Sequence, residues 1–233
     1  MDFRIVILLL VAAASLPTNL MIPSAQAQST SSSSAQHPRK AVPAADSSLD
    51  AGSVGNGVYR NAAFGFTCKI PAGWVLRTEE MNAREDDQPA DKSRDQFVKD
   101  VGSTGRVLLS AFSRPPQARA EDVNSSILIA AESAASYPGL KEAAQYFGPV
   151  TEIAKAQGFD VVNEPDDYEI GAKTVVRGDF QKNVGARVMR QSTLVILARG
   201  YALSFTFIGG TEDEVEELIA GLTFGAAAKP HPH

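Results

Sequence analysis

Cysteine and histidine are nearly missing from this chain. Cys68 is the single cysteine among 233 residues, so an intrachain disulfide framework, a cysteine-rich zinc site and a CxxC redox pair are excluded. The three histidines, His37, His231 and His233, all lie in terminal segments. The middle of the chain therefore has no imidazole for a Ser-His-Asp triad, a Cys-His pair or a His-ligated metal. A basic stripe is absent too. The net charge is −5, and Arg4, Arg39, Lys40 and Lys229 sit in the ends, which leaves the middle more acidic still. Affinity for nucleic acid comes mostly from Lys and Arg neutralising phosphates, so no nucleic-acid partner is expected. Long hydrophobic runs are also lacking. The apolar stretch from Ile5 to Leu16 stops at Pro17-Thr18-Asn19, short of the roughly 20 residues that a spanning helix needs.

What remains divides by composition. Arg4, the apolar run and Ala25-x-Ala27 form the three-part pattern of a secretory signal peptide over residues 1–27. That pattern predicts export and cleavage after Ala27, with a soluble periplasmic or extracellular product and no integral membrane segment. Residues 28–56 are rich in Ser, Ala, Gly and Pro and have almost nothing to bury, so they read as a disordered linker. Residues 226–233 read as a disordered tail. Between them, 57–225 form one domain, large enough to hold a core without disulfide or metal.

Within the domain, Phe64, Phe66, Cys68 and Ile70 alternate with polar residues, the period of a strand with one buried face. Cys68 then reads as a small core residue, and Trp74, beyond the Pro71–Gly73 turn, as a core plug. Glu79 to Lys99 is highly charged and reads as an exposed excursion. Arg106–Phe112 is a short apolar strand. From Glu121 the spacing of Val123, Ile127, Ala130, Ala131 and Ala134 predicts a helix, and Leu140–Phe147 and Val150–Gln157 predict two more. The last third carries strand-like runs at Phe159–Asn163, Tyr168–Ile170, Lys173–Gln181, Arg187–Ala198 and Tyr201–Phe207. The short breaks between them imply antiparallel hairpins. Thr211 and Glu214 match a capping box ahead of an amphipathic helix with Val215, Leu218, Ile219 and Leu222 on one stripe. The fold class predicted is α+β, an antiparallel sheet flanked by helices.

Two sequences stand out in this order: FGFTCKIPAGW, Phe64 to Trp74, and GYALSFTF followed by TEDEVEELIAGLTF, Gly200 to Phe224. They resemble the opening strand and turn, and the closing strand and helix, of the PsbP-like superfamily. The resemblance covers most of 57–225 and implies that superfamily's α/β/α sandwich. Folds of this kind serve as extrinsic photosystem subunits, as a binder of a small GTPase, and in envelope proteins or secretion adaptors. Binding to another protein is the tendency they share, and no catalytic signature comes with the fold.

The functional expectation is thus an exported, non-enzymatic binding or adaptor domain of the cell envelope, with an envelope protein as partner and no cofactor. Glu85, Asp86, Asp87 and Asp91, in the acidic excursion, are the candidate partner-binding residues. They lack the spacing and turn glycine of an EF-hand calcium loop. The alternatives are a carboxylate hydrolase, with Glu85 and Asp86 or Asp166 and Asp167 as acid and base, and a carrier of a small apolar ligand. The first requires two carboxylates facing each other across a cleft. The second requires an apolar cavity between sheet and helices.

Overall fold

The computed structural model describes residues 49–86, 105–115, 118 and 122–225. In chain order the strands are β1 (Ser53–Gly55), β2 (Val58–Asn61), β3 (Phe66–Lys69), β4 (Val75–Leu76), β5 (Gly105–Phe112), β6 (Ser126–Ser133), β7 (Asp160–Ile170), β8 (Lys173–Val184), β9 (Arg187–Ala198), β10 (Tyr201–Gly209) and β11 (Leu222–Phe224). The helices are α1 (Thr78–Asp86), α2 (Phe147–Ala156) and α3 (Glu212–Ala220), with 3-10 turns at Ala134–Ser136 and Ala143–Tyr146.

Seven strands make one antiparallel sheet in the order β4-β5-β6-β10-β9-β8-β7, and four make a smaller sheet in the order β1-β2-β3-β11. The large sheet is the middle layer. One face carries Leu109, Ile129, Leu194, Leu203 and Phe205, which pack with Phe66 and Cys68 of the small sheet and Val215, Leu218 and Ile219 of α3. The other face carries Leu128, Phe180, Val195 and Ala202 and packs with Tyr146, Phe147 and Val150, and with Met81 of α1. On this side Gly178 makes the close fit possible, since a Cβ there would stand 2.7 Å from Cε1 of Phe147. The α+β class holds, with one correction to the layers. A second sheet shares the cover of one face with α3, because three-residue β11 carries the chain back to pair with β3, Leu222 opposite Cys68 and Phe224 opposite Phe66.

Several local expectations are overturned for identifiable reasons. The helix read from Glu121 is strand β6, in which all residues but Ser133 are buried. It lies between β5 and β10 with cover on both faces, so its apolar residues need not alternate, and the unbroken run Ile127–Ala131 contains positions at helical spacing. Part of the excursion after Trp74 is α1, where Asn82 donates to the Val107 carbonyl and accepts from its N–H, both at 3.0 Å. The helices expected over 140–157 merge into a 3-10 turn running into α2, with Gly148 and Pro149 inside the first turn of α2, where a missing N–H costs nothing. Glu164-Pro165 does not end a strand. β7 runs through it on the sheet edge with shifts of register between Val161 and Asp166, the setting in which a strand tolerates proline.

The linker read over 28–56 ends sooner than its composition suggests. Residues 49–56 are ordered: β1 pairs with β2, Leu49 packs on the core, Tyr59 donates to the Ala51 carbonyl at 2.9 Å, and Asn61 donates to that of Asp50 at 2.9 Å. Short polar residues are held here by backbone pairing rather than by burial of their own side chains. Residues 1–27, read as a signal peptide, 28–48 of the stretch read as a linker, and 226–233, read as a tail, lie outside the described residues. Among the described residues no helix is long and apolar enough to cross a membrane.

Candidate functional site

The hairpin of β7 and β8 turns at Gly171-Ala172, where Gly171 holds φ 61°. A positive φ at the first turn position alone is the two-residue type II′ geometry, which makes Ile170 and Lys173 a hydrogen-bonded pair. Alternation along an antiparallel ladder then sets Tyr168 and Asp166 toward β8 and turns the backbone groups of Asp167 and Glu169 outward. The side-chain bond at Asp167 agrees: its N–H is met by Oδ1 of Asp166 at 2.9 Å. β7 is the last strand of the large sheet, and none of its eleven residues is buried. Among the described residues nothing pairs with its outer side.

Beside this edge lies an open groove of about 550 Å³, walled by Tyr168, Glu169 and Ile170 of β7, Glu216 and Ile219 of α3, and Thr223 and Phe224 of β11. At one wall Arg177 of β8 ties the layers together. Its Nε donates to Asp179 at 2.8 Å and its Nη2 to Glu216 at 2.5 Å, while its guanidinium stacks 4.9 Å from the Tyr168 ring centroid. Burial works against that charge, but the two carboxylates outweigh it and hold the Arg177 pKa above its ordinary value. One cation facing two carboxylates leaves the cluster net negative.

A second polar cluster lies on the opposite face. Glu132, only 3% exposed, ends β6 and accepts hydrogen bonds from the hydroxyls of Tyr137 and, at 2.8 Å, Tyr146. Burial pushes its carboxyl up, although both tyrosines oppose the shift. The space between the sheet and α2 is filled by Tyr146, Phe147, Phe159 and Phe180. Glu132 is thus an acid without a cleft, and its hydrogen bonds fix the turns at 134–146 onto the sheet.

The candidate partner-binding residues fall at the end of the first helix and beyond it. Glu85 and Asp86 close α1, and Asp87 and Asp91 lie outside the described residues. Asp166 and Asp167 are successive residues of β7 and so point to opposite faces of the sheet. They cannot face each other across a cleft, which corrects their reading as an acid and base pair. Among the described residues no group of three His, Cys, Asp or Glu is arranged to hold a metal ion. Cys68 is fully buried and burial pushes its thiol up to about 12, in keeping with a core residue; Trp74 is half-buried against the same core. Reading the sequence missed Arg177 and Glu132. Glu132 had a visible signal, a lone carboxylate at the end of the apolar run Ile127–Ala131, whereas the partners of Arg177 lie on three elements and leave no trace in spacing.

No family model and no curated protein matches the chain. Solved structures that resemble it include cyanobacterial PsbP from Synechocystis sp. PCC 6803, at 16% identity and TM-score 0.39 over 74% of this chain and 98% of that one. LpqN, described as involved in cell envelope biogenesis of Mycobacterium tuberculosis, has 14% identity and TM-score 0.36 over 69% of this chain and 83% of its own. The Saccharomyces cerevisiae Ran-binding protein Mog1p has 12% identity and TM-score 0.36 over 69% and 90%. These neighbours share the PsbP/Mog1 fold. The likeness stops there and supplies no residue of a site.

Proposed function

We propose that this chain is an exported, non-enzymatic binding domain of the cell envelope that recognises another protein through the outer edge of β7 and the adjoining groove. One observation carries the reading: an eleven-residue edge strand with no buried residue opens onto a groove bounded by α3 and β11. Unpaired strand edges are templates for pairing with another chain. The opposite edge of the sheet, β4, has two residues and offers no comparable surface. Asp166 and Asp167, one acid pair that a hydrolase would use, point to opposite faces of β7, and the space between the large sheet and α2 is filled by aromatic side chains.

The test is site-specific photo-crosslinking of the full chain in its own cells. A photoreactive residue replaces Ala172, exposed at the turn beside the groove, and, as a control, Val54 on β1, which is 44% exposed. A discrete envelope protein crosslinked from position 172 and not from position 54, and rebinding when purified, is the expected result. Equal crosslinking from both positions, or from neither while the protein is folded and abundant, rejects this surface.

A further inference from the structure

Resting on the reading of β7 as a docking edge, we propose that the partner enters as an extended segment in which lysine or arginine alternates with apolar residues, which pairs with Asp167–Ile170, lays its cationic side chains beside Asp167 and Glu169 and turns its apolar ones into the groove. Three features of the surface define that occupant.

The first is where the backbone is open. Pro165 and the register shifts lie in the first part of β7, up to Asp166, and blunt it against pairing. From Asp166 to Ile170 the register with β8 is continuous. The outward amide groups of Asp167 and Glu169 fall in this regular stretch, next to the groove. An incoming carbonyl displaces the Asp166 carboxylate from the Asp167 N–H, while the Glu169 N–H and carbonyl offer a second rung.

The second is charge. β7 carries Asp160, Glu164, Asp166, Asp167 and Glu169, and among the described residues none of them forms an ion pair. Asp167 and Glu169 share one face of the strand, where Glu169 accepts from the Thr174 hydroxyl at 3.4 Å. A second copy of this chain pairing edge to edge would set carboxylates opposite carboxylates, which is destabilising. A strand with cationic side chains relieves the same repulsion. The third is shape. The groove includes Ile170, Ile219 and Phe224, which suit the apolar side chains that alternate with the cations and so lie on the other face of the same incoming strand.

The probe is a capped, dye-labelled nine-residue peptide alternating lysine with valine, titrated into the full chain and followed by fluorescence anisotropy. Its comparisons are the glutamate–valine counterpart and two versions N-methylated on one or the other set of alternate amides. The lysine peptide is expected to bind at least about tenfold more tightly than the glutamate peptide. One N-methylated version should lose about tenfold in affinity and the other little, because one set of amides faces the strand edge. The variant Asp167→Lys/Glu169→Lys changes two exposed side chains, so it should fold as the parent does by circular dichroism, and it should reverse the preference between the peptides.

Absence of lysine-peptide binding, a preference unmoved by Asp167→Lys/Glu169→Lys, or equal binding of both N-methylated versions would overturn the proposal. In the last case the attraction is charge alone. A partner crosslinked from position 172 together with failure of the lysine peptide rejects the cationic strand and leaves the docking edge standing. Loss of crosslinking rejects both.

Discussion

Burying Glu132 with two hydroxyls and no cation ties the stability of the protein to pH. Its carboxyl is raised above the ordinary 4.5, so the folded state holds this proton more tightly than the unfolded state does. The resulting stabilisation is full below the unfolded pKa and is lost as pH climbs through the raised folded value. Glu132→Gln cannot titrate. Its stability relative to the parent should therefore grow from pH 4 toward neutrality, as measured by urea unfolding at a series of pH values; a difference independent of pH would refute this account. Cys68, with its thiol pushed up to about 12, should resist a thiol reagent at pH 8 in the folded protein and react at once in denaturant. Modification of the native protein at the rate of the denatured one would contradict its burial.

Turns and edges decide stability at the scale of elements. Arg199 and Gly200 join β9 to β10 with φ of 52° and 81°, the type I′ turn that favours Asn-Gly. Arg199→Asn should raise stability by about 0.5–1 kcal/mol in denaturant unfolding, since a long side chain is strained in the left-handed region. At the other end of the fold, a chain beginning at 57 loses β1 and the partners of the Tyr59 hydroxyl and the Asn61 amide. It should be about 2–3 kcal/mol less stable than one beginning at 49, because two buried polar groups lose their partners. Equal midpoints would show that residues 49–56 add nothing. Much of this layer was readable in the sequence. β9 spans the predicted Arg187–Ala198, and the helix at 212 is capped by Thr211, which accepts from the Glu214 N–H at 3.2 Å. The turn residues and caps carry their chemistry within a few positions, so they are legible. β6 was not, because burial on both faces removes the alternation that marks a strand, and β1 was not, because backbone pairing holds it. The groove combines β7, α3 and β11, and no local pattern announces such a meeting.

Across the whole molecule, the small sheet and α3 act as one cover over one face of the large sheet. Phe66 of β3, Phe205 of β10 and Phe224 of β11 form an aromatic triangle with centroids 4.9–6.2 Å apart. Arg177 fastens α3 to β8 beside them. Arg177→Ala should destabilise the protein by about 2–3 kcal/mol in denaturant unfolding, since it strands Asp179 beneath Glu216 without a cation. A loss below about 0.5 kcal/mol would mean that the pairs contribute no more than exposed ion pairs do.

The pairing of β3 with β11 also has a temporal meaning. Cys68 waits for Leu222, and Phe66 for Phe224, so the first core strand of the small sheet has its outer neighbour only when almost the entire domain has been synthesised. Contacts so distant in sequence form slowly. A domain that cannot finish folding until its final strand arrives keeps one flank of its core open through nearly all of its synthesis.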